Sequence, residues 1–504
     1  MKLKQLKIIL LFILTVLLIW NCSKKEIAHN LDFEEKILVK IGNRTISVSE
    51  YIKRAEYTPR PTYCNNNFPV DKKIILNSLV AEKLLAMEAG LDSAEILKNE
   101  YVHDYLKGIR EQAMRQILQY EEGHQKVTEI DTVMVHKMAA NMNIEYDISY
   151  INLSSKDTAE MISKRARDVG LQTAVREFFP DTLARRFVKW HEYENDKVLH
   201  ALFSQKHKPN EVISPLEINK SSFLLIEVNN WKGNVAQNRD EQIRTFGRAV
   251  DYKTNQKADA YYTDYVQGMM KDKTLEFDEE MFYKILNVVA PIYLQTAQKK
   301  SLLQNLFFDN QEREVRLNNR FNQLQELMDK AFYSFDGKTW TVREFLKYRR
   351  SHPLVFRNKE ISKESFPEDF KLAVIDMMTD YVLTEESYKR GFDKVNIVKR
   401  HYEMWKDNVV AESFKFQYLK DNNLDSLYFK DQDKAFQDYL NPYVTELQKK
   451  YSDQIFFNGE TFLKIKLNRI PMSVYKPLAP FPMVVPGFPV ITTKDDLDYG
   501  KLMK

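Results

Sequence analysis

Residues that could bind metal or transfer protons are sparse in this sequence and lack the spacing that such chemistry needs. Nine histidines are present, and no two stand four positions apart with a glutamate between them, the pattern that puts two imidazoles on one helix face around zinc. His191-Glu192 does not continue into a zinc motif, and His200 and His207 flank a predicted loop, where we expect solvated imidazoles. With 13 glycines, the chain also lacks a Gly-rich phosphate-binding loop. The sequence therefore predicts no metal site and no cofactor.

The two cysteines differ in their surroundings. Cys22 follows a basic leader and the short apolar run Ile8–Trp20, whose length suits a signal peptide better than a membrane span. A cysteine at the end of such a run resembles a bacterial lipobox, which predicts cleavage and acylation at Cys22. Because Trp20 and Asn21 are bulkier than the residues usual before that cysteine, an uncleaved anchor is the alternative. Both interpretations place the body of the protein outside the cytoplasm. If Cys22 carries lipid, Cys64 has no partner within the chain and is expected to be a buried or loop thiol.

The composition is that of a globular, mostly helical protein of several domains. Hydrophobic residues make up 44% and charged residues 29% of the 504 positions, which is a folded composition and enough chain for more than one core. The 75 basic and 71 acidic residues are spread along the whole length. A nucleic-acid partner usually requires a basic block, so none is expected. Scarce glycine and recurring Leu, Lys, Glu, Gln and Ala favour helix.

A strand–helix–helix unit occurs twice. Ile37–Ile41 alternates as a strand does, a Gly-Asn turn follows, and Ser47 with Glu50 makes a capping box that begins a helix. Phe335–Phe345 repeats Ile41–Tyr51 at an offset of 294, the distance from Thr45 to Thr339. Thr341 and Glu344 then rebuild the capping box, and each copy continues into a long helix that ends at a Gly-apolar-Asp triplet. The interpretation is an internal duplication.

The C-terminal part carries two distinct signals. Asn458-Gly459 stands between apolar runs and predicts a β-hairpin that directs Leu463, Ile465 and Leu467 to the core. The tail from Pro471 to Pro489 contains six prolines and is expected to be extended. Such a tail lies along its own domain or serves as a docking arm for a partner.

The first copy of the repeat resembles the N-terminal domain of the SurA and PrsA periplasmic foldases. Those proteins show a strand, a Gly-centred turn, a capping box and a helix of the form Glu-Lys-Leu-Leu-x-x-Glu-Ala. Here Glu82-Lys83-Leu84-Leu85 and Glu88-Ala89 stand in that order. The resemblance implies a helical chaperone scaffold and carries no catalytic residues with it.

Asp147–Val228 resembles a parvulin peptidyl-prolyl isomerase domain. Four segments occupy the places of the family's first strand, first helix, Gly-rich segment before the second strand, and last strand: Ile148–Leu153, Ala159–Gly170, Phe187–Trp190 and Phe223–Val228. Asn210–Leu216 is similar to the Gly-Glu-Val-Ser-x-Pro-Val turn of the family.

The resemblance also shows what is missing from the isomerase site. Parvulins place a histidine on each of two neighbouring core strands, and those positions align here with Tyr150 and Leu224. The Gly-rich segment is replaced by Phe187–Trp190. The expected site is therefore a degenerate pocket near Tyr150, Trp190 and Leu224, with weak or absent isomerase activity.

Taken together, the sequence predicts an α+β, mostly helical protein: a SurA-like chaperone cradle with an inserted parvulin-like α/β domain. Its partners would be unfolded or nascent exported polypeptides and, through Cys22, a bacterial membrane, the outer membrane rather than the inner. Two alternatives stay open: an active parvulin-type isomerase, and a structural subunit with one fixed partner. The expected segments are a signal peptide (1–22), an N-terminal helical unit (30–128), a parvulin-like domain (131–234), a helical linker (235–330), the second repeat copy (331–430) and a C-terminal region (431–504).

Overall fold

The structure is a computed structural model that describes residues 35–65, 68–179, 183–190, 195–219, 222–233, 238–298, 322–358 and 361–503. Their contacts define two compact units. The body joins the residues up to Leu118 with those from Gly268 onward, and the inserted domain comprises Gln119–Gln267. Helices predominate and small sheets complete both units, which confirms the α+β, mostly helical fold class. The predicted signal peptide with Cys22 lies outside the described residues.

The first copy of the repeat folds as a hairpin followed by helices. Its elements in chain order are β1 (Ile37–Ile41), β2 (Arg44–Ser47), α1 (Val48–Glu56), α2 (Phe68–Glu88) and α3 (Glu100–Glu122). Ser47 begins α1 as predicted, since its Oγ accepts a hydrogen bond from the N–H of Glu50 at 2.9 Å. The other half of the predicted capping box is missing here, because the Glu50 carboxylate lies 3.1 Å from Lys83 Nζ inside the body.

The inserted domain is built around one four-stranded antiparallel sheet. Beyond the end of α3 its elements are α4 (Thr132–Asn141), β3 (Ile144–Leu153), α5 (Lys156–Val169), α6 (Leu171–Arg176), β4 (Ala184–Lys189), α7 (Asp196–Phe203), β5 (Glu211–Asn219), β6 (Ser222–Gly233) and α8 (Arg239–Met270). The strand order is β4-β3-β6-β5. The first strand, first helix and last strand occupy the predicted places, but Phe187–Lys189 belongs to β4 itself and does not precede it.

The rest of the body comes after the inserted domain. Its elements are β7 (Leu275–Phe277), α9 (Glu279–Gln298), β8 (Ala331–Phe335), β9 (Lys338–Thr341), α10 (Val342–Ser351), α11 (Phe366–Lys389), α12 (Asn396–Asp421), α13 (Asp425–Lys430), α14 (Gln432–Ala435), a π-helical turn (Phe436–Leu440), α15 (Asn441–Lys450), β10 (Ile455–Phe457), α16 (Gly459–Lys464) and β11 (Lys501–Leu502). Residues 235–330, predicted as a helical linker, thus also contain β7, which pairs with the second hairpin.

The two hairpins of the body have the same backbone geometry. In the first, Val39 pairs with Ile46, and in the second Tyr333 pairs with Trp340, at the offset of 294 found in the sequence. Each hairpin has its register irregularity at the same place, after Ile37 in one and after Ala331 in the other. A bulge at one fixed position is a specific feature of a strand pair. Because the two hairpins share both register and bulge, the backbone structure is duplicated as well as the sequence.

The helices repeat in the same way. Thr341 and Glu344 form a complete capping box at the start of α10, as predicted. Helices α2 and α11 both end at a glycine in the left-handed conformation, Gly90 at φ +89° and Gly391 at φ +75°. Only glycine adopts this conformation freely, which explains why each copy has a glycine there.

Each hairpin obtains its third strand from the other copy. β1 pairs with β10, which comes after α12 of the second copy. β8 pairs with β7, which comes after α3 of the first copy. The two third strands are equivalent: the N–H of Asn458 donates to Leu38 O at 2.8 Å, and the N–H of Asp278 donates to Phe332 O at 2.9 Å. We therefore define a first lobe around β10-β1-β2 and a second lobe around β7-β8-β9.

The long helices are exchanged as well. Helix α3 of the first copy packs on the second lobe, where Arg115 Nη1 donates to Thr384 Oγ1 at 2.7 Å and Tyr388 Oη donates to Glu111 Oε1 at 3.0 Å. Helix α12 of the second copy packs on α2 in the first lobe, where Asn408 Nδ2 donates to Glu82 Oε2 at 2.7 Å. The body is thus a reciprocal exchange between the two halves of a duplicated chain.

A fully buried set of charges ties α12 to the first lobe. The guanidinium of Arg54 donates to both carboxylate oxygens of Glu82, at 3.0 and 2.7 Å, and both side chains are 0% exposed. Next to them, Lys83 Nζ lies 3.2 Å from Asp407 of α12. Burial by itself would raise the pKa of Glu82, but Arg54, Lys83 and Asn408 together outweigh it and hold that pKa below its usual range.

The proline-rich tail lies on its own unit. Phe481, Val485 and Ile491 are buried in the body, and Arg54 Nη2 donates to Gly487 O at 2.7 Å. The hairpin predicted at Asn458-Gly459 is wrong. Asn458 caps α16, since its Oδ1 accepts the N–H of Thr461 at 3.0 Å. Of the side chains predicted to face the core, Ile465 and Leu467 do so, while Leu463 is 80% exposed.

We expect Glu82→Gln to lower the free energy of unfolding of the body by about 3–5 kcal/mol, because the variant leaves the buried charge of Arg54 without its counterion. The double variant Arg54→Met with Glu82→Leu should lose less than the single one, since no uncompensated charge remains. Urea denaturation measures both.

The matched control is Asp329→Asn, which removes an exposed ion pair of the body, 3.0 Å from Arg343. This variant should lower the free energy of unfolding by less than about 1 kcal/mol. Equal losses for Glu82→Gln and Asp329→Asn would contradict the structural role assigned to the buried pair.

Candidate functional site

The structure brings two of the three predicted pocket residues together. Tyr150 lies on β3 and pairs with Ile226 of β6, and Leu224 follows two positions away on the same face. Diagonal neighbours of this kind are close enough for their side chains to meet. Trp190 lies on that face but at the opposite end of the sheet, six residues beyond Ala184, which is the β4 partner of Tyr150. At about 3.3 Å per residue, the two ends are roughly 20 Å apart.

The end of the sheet at Tyr150 has an aromatic and cationic surface. Arg186 covers the Tyr150 ring, with its guanidinium carbon 5.1 Å from the ring centroid. Leu224, on the neighbouring strand β6, is buried and packs in one apolar cluster with Tyr150 and with Leu216 of β5. These groups can hold an apolar or aromatic side chain, or the flat ring of a proline, by stacking and dispersion. They supply no imidazole at the two positions where the parvulin family has one.

Trp190 belongs to an aromatic core. Its ring lies 5.3 Å from Phe203 of α7 and 4.9 Å from Tyr252 of α8, both edge-to-face. Phe203 in turn contacts Tyr146 at 5.4 Å, and Phe203 and Tyr146 are fully buried. Rings in this arrangement stabilise a core. Trp190 therefore contributes to packing beneath the sheet and does not line the place where Tyr150 and Leu224 meet.

His207 is a buried residue that the sequence analysis assigned wrongly to solvent. Its Nδ1 lies 2.9 Å from Glu211 Oε1, its Nε2 lies 2.8 Å from Ala201 O, and its ring meets Tyr146 edge-to-face. Both ring nitrogens thus face oxygen atoms of the fold. The sequence signal for this contact was a histidine that follows an apolar helix and stands four positions before a glutamate at the start of a strand. His207 connects α7 to β5 and has no free nitrogen for acid–base work.

The opposite face of the sheet carries a polar cluster that the sequence analysis did not find. Asp147 is buried and accepts a hydrogen bond from Arg185 Nε at 2.9 Å, and Asn229 Nδ2 donates to Ser149 Oγ at 3.0 Å. The hydrogen bond from Arg185 holds the pKa of Asp147 below its usual range. Phe187, beside these residues on β4, is 57% exposed. Alternating acidic residues in β3 and basic residues in β4 were the sequence signal for this face.

Large apolar side chains remain exposed on the inserted domain. Such residues are ordinary when scattered singly, but in number they give a surface that can contact many partners weakly. Those at least 37% exposed are Tyr120, Val133, Met161, Phe178, Phe187, Ile243, Phe246 and Tyr261.

The body has a separate cleft of about 630 Å³ between the start of α3 and α10. Tyr101 and Arg350 both line it, with the guanidinium carbon 4.7 Å from the ring centroid. Arg350 also donates to Glu100 at 3.0 Å, and Lys107 and Lys347 contribute further charge. A cleft of mixed charge with one open aromatic ring is suited to polar peptide segments more than to a small apolar ligand.

The described residues contain neither a metal-binding cluster nor a membrane-spanning helix. No group of three His, Cys, Asp or Glu side chains within the described ranges is arranged to hold a metal ion. None of the helices in that part of the chain combines the length and hydropathy needed to cross a bilayer. His191 and Cys22 lie outside it. Cys64 is a buried free thiol, and burial raises its pKa to about 12.

Comparison with known proteins gives little. No family model matches the chain, and no curated protein is similar to it. Among solved structures, the foldase protein PrsA from Streptococcus pneumoniae is similar over 45% of this chain and 91% of that chain, with 13% identity and a TM-score of 0.19. A TM-score this low does not by itself establish a shared fold.

We expect Phe203→Ala to destabilise the inserted domain by about 3–5 kcal/mol, because it removes a buried ring from between Tyr146 and Trp190. Phe187→Ala, which removes an exposed ring from β4, should change the stability of the inserted domain by no more than about 0.5 kcal/mol. Hydrogen exchange of the β3 amides in the full chain reports the local free energy of opening. Comparable effects of both variants would contradict the packing described here.

Proposed function

We propose that this protein is an exported chaperone of the foldase type that binds non-native polypeptides, in particular exported or outer-membrane ones. The observation that carries the proposal is the inserted domain. Its first strand, first helix and last strand lie where the parvulin resemblance predicts them, and Tyr150 and Leu224 adjoin on one face of its sheet. An isomerase-like fold with apolar and aromatic groups in place of the polar pair favours binding over catalysis.

The physics of prolyl isomerisation explains why binding and catalysis separate here. The uncatalysed barrier is about 18–20 kcal/mol, and an enzyme lowers it by holding the twisted amide better than the planar one. That requires polar groups aimed at the amide. The surface formed by Tyr150 and Arg186, above the buried Leu224, offers stacking and one cation, which bind an aromatic or proline side chain in either isomer. A surface that binds the twisted transition state no more tightly than the two planar isomers leaves the barrier unchanged.

The exposed apolar side chains of the inserted domain support the same proposal. Phe178, Phe187, Phe246 and Met161 belong to residue types that adapt to irregular partners. Each contributes a small contact area, so binding would be weak and indifferent to sequence. That is the property a chaperone needs for clients that differ in sequence.

The location belongs to the proposal as well. Acylation at Cys22 would tether the chain to the periplasmic face of a bacterial membrane, the outer membrane in preference to the inner. The basic leader, the length of the apolar run and the position of the cysteine support it. The lipid would be the membrane anchor of the mature protein.

We expect the protein to suppress light scattering by a thermally unfolding test enzyme such as citrate synthase, in proportion to its concentration. In a proline-containing test peptide, it should accelerate cis–trans exchange far less than the about 10²-fold that positioned polar groups typically contribute. Strong acceleration that is lost in Tyr150→Ala and Leu224→Ala would instead identify an active isomerase. A stoichiometric complex with one partner, and no effect on unrelated unfolded proteins, would identify a structural subunit.

We expect Cys22→Ser to abolish incorporation of an alkyne-labelled fatty acid and to leave the protein unacylated, because the thiol is the predicted attachment atom. Cys64→Ser is the matched control and should be labelled like the unaltered chain. Labelling that persists in Cys22→Ser would contradict the lipoprotein assignment while leaving the binding proposal intact.

A further inference from the structure

The two lobes of the body differ at one edge of their sheets. In the first lobe, the outer side of β10 is covered by β11, a short parallel strand from the end of the chain. In the second lobe, the equivalent strand β7 is the outermost strand among the described residues. The duplicated fold therefore shows the same edge twice, once covered by β11 and once with no further strand beside it in the described part of the chain.

The main-chain groups of β7 that face outward can be identified from the pairing. The N–H of Asp278 donates to Phe332 O, and the N–H of Asp336 donates to Thr274 O. In an antiparallel pair, residues that are hydrogen-bonded to the partner strand alternate with residues that are not. Leu275 and Phe277 consequently direct their N–H and C=O groups away from β8. In the first lobe the residue equivalent to Phe277 is Phe457, whose carbonyl accepts the N–H of Met503 at 2.7 Å.

The covering strand of the first lobe is held mainly through its main chain. Lys501 and Leu502 are both exposed, Leu502 at 75%, and the side-chain contact of Lys501 is an exposed ion pair with Asp453 at 2.7 Å, so little side-chain surface is buried. The chain reaches the edge at Gly500, which has φ +81° and would place a Cβ only 2.8 Å from Ile455 O. An edge that binds a strand without burying its side chains does not select for sequence.

We propose that the outer edge of β7 binds an extended segment of a non-native polypeptide as an added parallel strand, as β11 does at β10. The inference rests on the proposed chaperone function and assigns it a second contact, in the body. The side chains of Leu275 and Phe277 pack against the second lobe's core, while Glu276 is exposed. What β7 offers is thus a short row of main-chain donors and acceptors, which limits the affinity of any one client.

Edge strands attract other chains unless they are covered or guarded. β7 is three residues long, and shortness protects it against aggregation. A second copy of this chain, paired edge to edge, is the competing occupant and an outcome of the test below.

The experiment places a photoreactive benzoylphenylalanine at Glu276 and, as the matched control, at the equivalent Phe456 of β10. The probe is reduced, carboxymethylated α-lactalbumin, which stays unfolded. We expect the Glu276 variant to cross-link to the probe, and the Phe456 variant to cross-link only within its own chain, to the segment around Lys501. A synthetic peptide that competes for Glu276 should lose its effect when alternate residues are N-methylated, because its main-chain donors are then removed.

Deleting residues 500–504 provides a gain-of-function control. The deletion uncovers β10, so the Phe456 variant of the shortened chain should now cross-link to the probe, while the Glu276 variant is unchanged. Aggregation assays on both chains run in parallel.

The outcomes are distinguishable. Suppressed aggregation without cross-linking at Glu276 overturns the edge proposal and leaves the proposed function standing. Cross-links between two copies of this chain at Glu276, in place of the probe, overturn it in favour of self-association. If the intact chain neither suppresses aggregation nor cross-links to the probe, the proposed function itself is overturned.

Discussion

The body depends on charges that are stable only when two distant parts of the chain meet. Arg54 and Glu82 are fully buried, and Lys83 beside them reaches Asp407 on α12. Removing such groups from water costs several kcal/mol for each ion unless its partner is in place. The first lobe therefore tolerates neither a missing nor a shifted α12. This requirement makes the docking of α12 specific, since an apolar contact alone would accept neighbouring registers.

The reciprocal exchange gives the body the symmetry of a two-fold dimer within one chain. Each lobe takes its hairpin and two helices from one copy, and its third strand and a long helix from the other. Exchange of equivalent elements is a familiar route to dimers, and duplication followed by fusion would convert such a dimer into this chain. The copies have since diverged: the first carries Gln119–Gln267 between α3 and the third strand β7, and the second carries only the short helices α13 to α15 before β10.

Sequence patterns predicted the local parts of this fold and missed the distant ones. The first strand, the cap at Thr341 and the helix ends at the left-handed glycines follow from rules that act within a few residues. The second strands β2 and β9 and the strand β7, with four, four and three residues, were not predicted, because no periodicity develops over so short a span. The apolar run at β10 was predicted, but as an arm of a hairpin and not as the partner of β1. Asn458-Gly459 misled for a related reason: Asn serves a helix cap as well as a turn. At the candidate site, the resemblance to parvulins put Tyr150 and Leu224 on neighbouring strands, and the β3–β6 register places them on one face, whereas the position of Trp190 depended on the β3–β4 register.

The origin of β10 also determines the order in which the chain can fold. β1 is synthesised early, but its outer neighbour β10 begins at Ile455, far later in the chain. Pairings this distant in sequence are slow to form, because a large loop must close before any contact is gained. Until then the apolar faces of β1 and α2 have no complete partner. Until β10 has been synthesised, a nascent copy of this protein therefore exposes apolar surface. It needs the same protection that the finished molecule is proposed to give.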